Sequence, residues 1–299
     1  MKTKNKGETE KFAQNKRLIY VTIAIITIII LASIFFFIYP NQPSQPKAAI
    51  IDQLSSSQLA EPIRHQNQTF INTTKELLYK RFSIIDYYSD NATVEQYKRL
   101  SSQDYKLIIW RAHSALDLNS KYIAISTSDK YGSKNYDQYL ENGQLTLCNI
   151  TGYYYFGITP KFVEELMSGR FEDTVIIFMS CNGLKEEYYK TAETFEEKGV
   201  KVFISWDGWI DPSDNDNAIA HLLDYLINKN DTVSEAVGKI PIFYSSEFGQ
   251  SRLHYYPDPE AANYRILGYK QNNVSSNAGF MILTVLRKDL DARWTRLAR

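Results

Sequence analysis

Between Leu18 and Tyr39 the sequence carries no charged side chain and is dominated by Ile, Phe, Leu and Val, and no other stretch limits so tightly what the chain can become. At a rise of ~1.5 Å per residue, a helix over these positions spans a hydrocarbon core of ~30 Å. A cleavable leader would have a shorter apolar region followed by small residues. This run ends instead in Phe35, Phe36, Phe37 and Pro40, so it reads as an uncleaved transmembrane helix over 18–39. Ahead of it stand Lys2, Lys4, Lys6, Lys11, Lys16 and Arg17 against Glu8 and Glu10. The positive-inside bias makes 1–17 a cytoplasmic tail and puts everything after Tyr39 outside the cytoplasm. Asn-X-Ser/Thr sequons at Asn67, Asn72, Asn91, Asn149, Asn230 and Asn273 all lie beyond the helix. They agree with that topology and are the glycosylation candidates.

A short Pro, Gln and Ser linker over 40–47 leads into a long alternation of elements. Apolar runs at Ala48–Leu54, Tyr105–Trp110 and Thr174–Met179 read as strands, as do Ser83–Tyr87 and Val200–Trp206. The intervening segments Phe70–Arg81, Thr93–Leu100, Pro160–Met167, Glu186–Lys198 and Asn215–Ile227 have helical character, with Pro at the first turn of the third. Five short strands separated by helices predict an α/β domain over 48–258, with a mostly parallel central sheet and helices on both faces. Lys121–Gly157 breaks the rhythm. Its Tyr-rich alternating segments predict a β-hairpin insertion, and the 22 tyrosines of the chain suit either binding surfaces or packed sheet edges. The formal net charge of zero removes the electrostatic footprint of a nucleic-acid binder and favours a protein or small-molecule partner.

In open parallel sheets function gathers past the carboxyl ends of the strands. The third strand runs into Arg111-Ala112-His113-Ser114 and the fourth into Ser180-Cys181-Asn182-Gly183. A His and a Cys at the ends of neighbouring strands meet at one substrate carbonyl, which is the arrangement a cysteine nucleophile needs. The structural alternative is a satisfied rim histidine and a small buried hydrophobe, or a bridge between Cys148 and Cys181 in an oxidising compartment. Asp52 closes the first strand, Asp207 comes directly after the fifth, and Asp211 lies in the next loop. A carboxylate on that rim would favour Arg or Lys in the substrate. Asp is also common before helices, and Asp214 or Asp216 is expected to cap the next one. His65, His221 and His254 show no metal-ligand spacing, and HExxH, CxxC and Gly-rich phosphate loops are missing from the sequence, so neither metal nor other cofactor is expected.

The segments IIWRAHS, ending in Ser114, IIFMSCNG, containing Cys181, and GVKVFISWDGWIDPSDNDNAIAHLLDYL, from Gly199 to Leu226, resemble the caspase-like cysteine peptidases. That group includes caspases, gingipains, clostripain, separase and the CHAT domains. The resemblance runs from Ala48 to about Pro257. It implies a caspase-like sandwich and a Cys-His dyad acting on a polypeptide, with Cys181 attacking the scissile carbonyl and His113 supplying the proton to the leaving amine. It also implies an oxyanion hole made by the backbone amides of Ser114 and Cys181. Most of these families place Gly directly after the catalytic His, where this chain has Ser114. Met179 stands where caspases carry Gln and metacaspases Asp, so neither S1 pocket is inherited.

Three readings are open: a membrane-anchored cysteine endopeptidase, an inactive binding module on the same scaffold, and an unrelated surface protein with Cys148 bonded to Cys181. The stretch 259–299 reads as a tail. Its apolar segment Gly279–Leu286 is too short to cross a membrane, and it ends in Arg287, Lys288, Arg293, Arg296 and Arg299.

Overall fold

A computed structural model describes residues 20, 22–31, 33 and 45–266. The chain divides into two compact units, Met1–Gln45 and Pro46–Arg299. In the first, residues 22–31 are helical with their apolar side chains exposed. Thr27 and Ser33 donate to the carbonyls of Ile23 and Ile29, so the two hydroxyls are satisfied inside the helix. No helix among the described residues is long and apolar enough to cross a membrane. Of the expected span 18–39, residues 20, 22–31 and 33 are described, and all are helical; the rest of it lies outside the described residues, as do the tail 1–17, the sequon at Asn273 and the segment Gly279–Leu286.

The second unit is α/β. Its main sheet takes the five expected strands, β1 (Lys47–Asp52), β2 (Ile84–Tyr88), β3 (Tyr105–Arg111), β8 (Thr174–Met179) and β9 (Val200–Trp206), in the spatial order β2-β1-β3-β8-β9. All four pairings among them are parallel. After a two-stranded antiparallel hairpin of β10 (Phe243–Ser245) and β11 (Gly249–Ser251), a sixth strand of the main sheet, β12 (Leu253–Tyr256), joins β9 antiparallel and forms the edge.

Alternate side chains of the central strands feed two cores, as the period of two requires. On one face Ile50, Ile109, Ile177 and Ile204 pack with α1 (Gln68–Leu78), α6 (Pro212–Leu223) and α7 (Val233–Gly238). On the other, Ile51, Trp110, Phe178 and Phe203 pack with α2 (Val94–Tyr97), α4 (Pro160–Glu165) and α5 (Lys190–Glu197). Burial on both faces explains why β1, β3 and β8 read as apolar runs. The buried indoles keep a polar partner: Trp110 donates to the Tyr97 hydroxyl at 3.1 Å and Trp206 to Asn215 Oδ1 at 2.9 Å.

Two expectations change. The insertion is more than one hairpin. β4 (Ser114–Asp117), β5 (Tyr122–Lys130), β6 (Leu145–Ile150) and β7 (Tyr153–Ile158) form a separate antiparallel sheet in the order β4-β5-β7-β6, with the short helix α3 (Asp137–Glu141) between β5 and β6. Ile123, Ile125, Phe156 and Ile158 pack this sheet into the second core. The chain past Asp258 also does not leave the domain at once. Val233 and Ser234 donate to the carbonyls of Tyr264 and Ala262, and Ala261 and Ile266 are buried in the first core.

Candidate functional site

β3 and β8 are the inner strands of the sheet, and the last pair of their ladder is Arg111 with Met179. Continuing that register two residues further brings His113 level with Cys181. After Arg111 the chain leaves the main sheet and starts the second one at Ser114. His113 therefore sits at the seam between the two sheets. After β8 the chain turns sharply, with Asn182 in the left-handed region at φ 57°, a conformation Asn tolerates better than most residues. Gly183 is required next. A Cβ there would lie 2.7 Å from Cβ of Ser205 on β9, closer than side chains allow.

His113, Ser114 and Cys181 line one cavity of about 250 Å³, together with Ile63, His65, Met179, Trp209, Ile210 and the turn Asn149-Ile150-Thr151. The His113 backbone N–H donates to buried Gln53 Oε1 at 3.0 Å, and its carbonyl accepts from Ser126. His113 Nε2 lies 2.8 Å from the Ile63 carbonyl. A carbonyl only accepts, so Nε2 carries the hydrogen and Nδ1 is left as the basic nitrogen. Burial pushes the imidazole down to about 4, assisted by the charge of Arg111 and by His65, while the Ile63 carbonyl opposes the shift. The ring of His65 stands edge-on to it at 6.0 Å.

Cys181 is a free thiol. Burial pushes it up from its ordinary range and Asp211 adds to the shift, against a stabilising contact from Ile210. Its sulfur lies 3.6 Å from the Ile210 carbonyl and 3.5 Å from the Ile210 N–H. The resting pair is therefore neutral thiol and neutral imidazole, and a nucleophilic sulfur appears only as its proton leaves. Ser114 Oγ donates to the Cys181 carbonyl at 2.7 Å.

The three carboxylates expected to read a basic side chain go to different places. Asp52 is fully buried, and Arg111 donates to it at 2.9 Å while Tyr87 donates at 3.1 Å. Its charge is neutralised inside the protein, and it is not a rim carboxylate. Asp207 turns to the edge strand, accepting from the Arg252 N–H at 2.7 Å and pairing with His254 at 3.0 Å. Asp211 caps α6 through the N–H and hydroxyl of Ser213, and those bonds hold its carboxyl below the usual carboxylate range. Its chain neighbours Ile210 and Pro212 line the cavity, and its charge is felt by both Cys181 and His65. Of the three, Asp211 is the one beside the pocket.

Asp216 is not a cap. It takes a bidentate contact from Arg111, Nε to Oδ1 at 2.7 Å and Nη2 to Oδ2 at 2.9 Å. Asn67 Nδ2 donates to the same carboxylate at 2.9 Å, while Asn67 Oδ1 caps α1. The amide nitrogen that a sugar would occupy is thus engaged in the network. Asn72, Asn91 and Asn149 are exposed, and Asn230 is half-buried with its Oδ1 accepting from Arg81. Cys148 is also free, buried beneath Gly157, and pushed up to about 12 by burial, so the expected alternative of a bridge to Cys181 is not realised.

Sequence reasoning missed His65, Gln53 and the Arg111–Asp216 pair. A signal existed for the last. Asp216 falls on the buried stripe of α6 with Ile219 and Leu223, and a charge on an apolar stripe calls for a partner. No group of three or more metal-ligating side chains is disposed to hold an ion among the described residues. No family model matches the sequence, and a search of characterised proteins finds no significant relative.

Proposed function

We propose that the chain is a caspase-like cysteine endopeptidase, held at a membrane by its N-terminal apolar segment with the α/β unit on the extracytoplasmic side. The observation that carries this reading is that His113 and Cys181, each two residues beyond the last pair of adjacent parallel strands, line one cavity. Trp209, half-exposed and stacked on Phe248 at 4.6 Å, forms an apolar lip suited to an extended peptide. Asp211 is the carboxylate that would favour Arg or Lys beside the scissile bond.

In this mechanism the Cys181 sulfur forms a bond to the substrate carbonyl carbon as its proton passes to Nδ1 of His113 and the C=O π electrons move onto oxygen. The amide C–N bond then breaks, and His113 delivers a proton to the leaving amine through Nδ1. The Ile63 carbonyl, already accepting from Nε2, stabilises the imidazolium in between. Water attacks the resulting thioester with His113 as base, which releases the acid and restores the thiol.

The test is covalent labelling by iodoacetamide and turnover of fluorogenic peptide amides, with wild type compared to Cys181→Ala and Cys148→Ser. Loss of both signals in the first variant and neither in the second is expected. Turnover surviving Cys181→Ala sinks the reading. An inactive scaffold is the second reading, supported by the neutral resting state of both groups. It predicts labelling that is slow and indifferent to His113.

A further inference from the structure

Past the Arg111–Met179 pair, the two halves of the site are anchored from opposite sides. His113 is tied to the turn that follows β1 through Gln53 and to β5 through Ser126. The turn after Cys181 is tied to the chain leaving β9, because Asn182 and Leu184 donate to the carbonyls of Gly208 and Trp206. Among the described residues, the hydrogen bond that crosses directly from the segment 112–116 to the segment 180–184 is Ser114 Oγ to the Cys181 carbonyl, at 2.7 Å.

The same two residues line the cavity, and each carries a backbone N–H. The bond from Ser126 N–H to the His113 carbonyl flanks the Ser114–Ile125 pair, the first of the β4–β5 ladder. Ser114 thus occupies a non-bonded position, and its N–H faces away from β5. The Cys181 N–H and the sulfur belong to one residue, so covalent connection keeps them close. A carbonyl carbon bonded to that sulfur would hold its oxygen near this donor.

We propose that Ser114 is a positioning residue whose hydroxyl, by holding the Cys181 carbonyl, sets the spacing of the Ser114 and Cys181 N–H groups so that both reach one developing oxyanion. The proposal rests on the hydrolase reading above. It predicts an effect on the tetrahedral state and none on the bare reactivity of the sulfur, since alkylation builds no oxyanion.

The test uses the full-length chain as wild type, Ser114→Ala and Ser114→Thr, with fluorogenic peptide amides, a peptide aldehyde and iodoacetamide as probes. In Ser114→Ala, kcat should fall about tenfold with KM within about twofold, and the aldehyde should bind about tenfold more weakly, the scale of one hydrogen bond. Alkylation of Cys181 should stay within about twofold, and Ser114→Thr, which keeps the hydroxyl, should recover most of the loss. Unchanged kcat and aldehyde affinity in Ser114→Ala overturn the proposal and leave the hydrolase standing. A parallel fall of kcat, alkylation rate and melting temperature in both variants overturns it in favour of a purely structural bond. A wild-type chain that cleaves no peptide amide and binds no aldehyde removes the reading beneath it, and the proposal falls with it.

Discussion

Arg111 and His113 are one side-chain alternation apart at the end of the same strand, yet their surroundings are opposite. Arg111 is 2 % exposed and its guanidinium is held by Asp52, Asp216 and the His65 carbonyl. The two carboxylates have further donors of their own in Tyr87 and Asn67. The His113 imidazole has one hydrogen-bond partner, the Ile63 carbonyl, and the residue lines a cavity. The difference separates structure from chemistry. A buried charge whose hydrogen bonds are all met has nothing left to react with, whereas a neutral group with a spare lone pair beside open space does.

The largest test removes the guanidinium. Arg111→Met leaves two carboxylates buried without a counter-charge, and breaking such a network costs ~3–5 kcal/mol. Urea unfolding at pH 7 should show it. A loss below about 1 kcal/mol would mean that water reaches the network and the contrast with His113 is false.

Next is His113→Ala, which should cut turnover of peptide amides by at least about a hundredfold, the scale for losing a general acid or base. Its unfolding midpoint at pH 7 should move far less than that of Arg111→Met. If the two variants lose stability equally, His113 belongs with the network and not with the pocket.

A pH test separates the same two residues without touching Arg111. His113 is held at about 4 in the fold against an ordinary value of ~6.5 in the unfolded chain. Between those values the unfolded chain binds the additional proton, so the contribution is complete above the upper one and is lost as the medium is acidified toward the lower. At pH 5 the cost is about 2 kcal/mol. The wild type should lose that much more than His113→Asn between pH 7 and pH 5 in urea titrations, and equal losses would refute the burial of a neutral imidazole.

The smallest effect belongs to Asp211→Asn. Asparagine caps a helix about as well as aspartate, so α6 should persist and the charge alone is removed. Preference for Arg over uncharged residues at the cleavage site should fall by about tenfold or less. The alkylation rate of Cys181 should rise slightly, because a nearby negative charge that opposes the thiolate is gone. An unaltered Arg preference would place basic recognition elsewhere or nowhere.

How much of this was legible in the sequence depended on whether a residue's partner lay nearby in the chain. Among the parallel strands the inner ones announced themselves because burial on both faces leaves no room for polar alternation, whereas β2, a part-exposed edge strand with Asp86 in it, read as a strand through its place in the alternation. β12 did not, since Leu253, His254, Tyr255 and Tyr256 sit at an edge where mixed character is allowed. The second sheet was under-read as one hairpin because its pairings, such as Ile125 with Ile158, join segments far apart in sequence. His113 and Cys181 were singled out by their positions at strand ends, and the fold brings both to the lining of one cavity. Asp52 was misjudged for the same reason, because a strand-end position cannot tell an inward carboxylate from an outward one. Only Arg111, approaching from the adjacent strand, decides that.

The shared register of β3 and β8 also governs which changes in length the molecule can tolerate. The connection between β2 and β3 can gain or lose a residue without altering the parity of side chains along β3. Inside β3 there is no such freedom. One residue inserted between Leu107 and Arg111 would turn the imidazole toward the opposite core, away from the cavity it opens on, even if every strand survived. Strand pairing here acts as a ruler with a least count of one residue, and natural or engineered variation in length should be confined to the loops at its unmarked end.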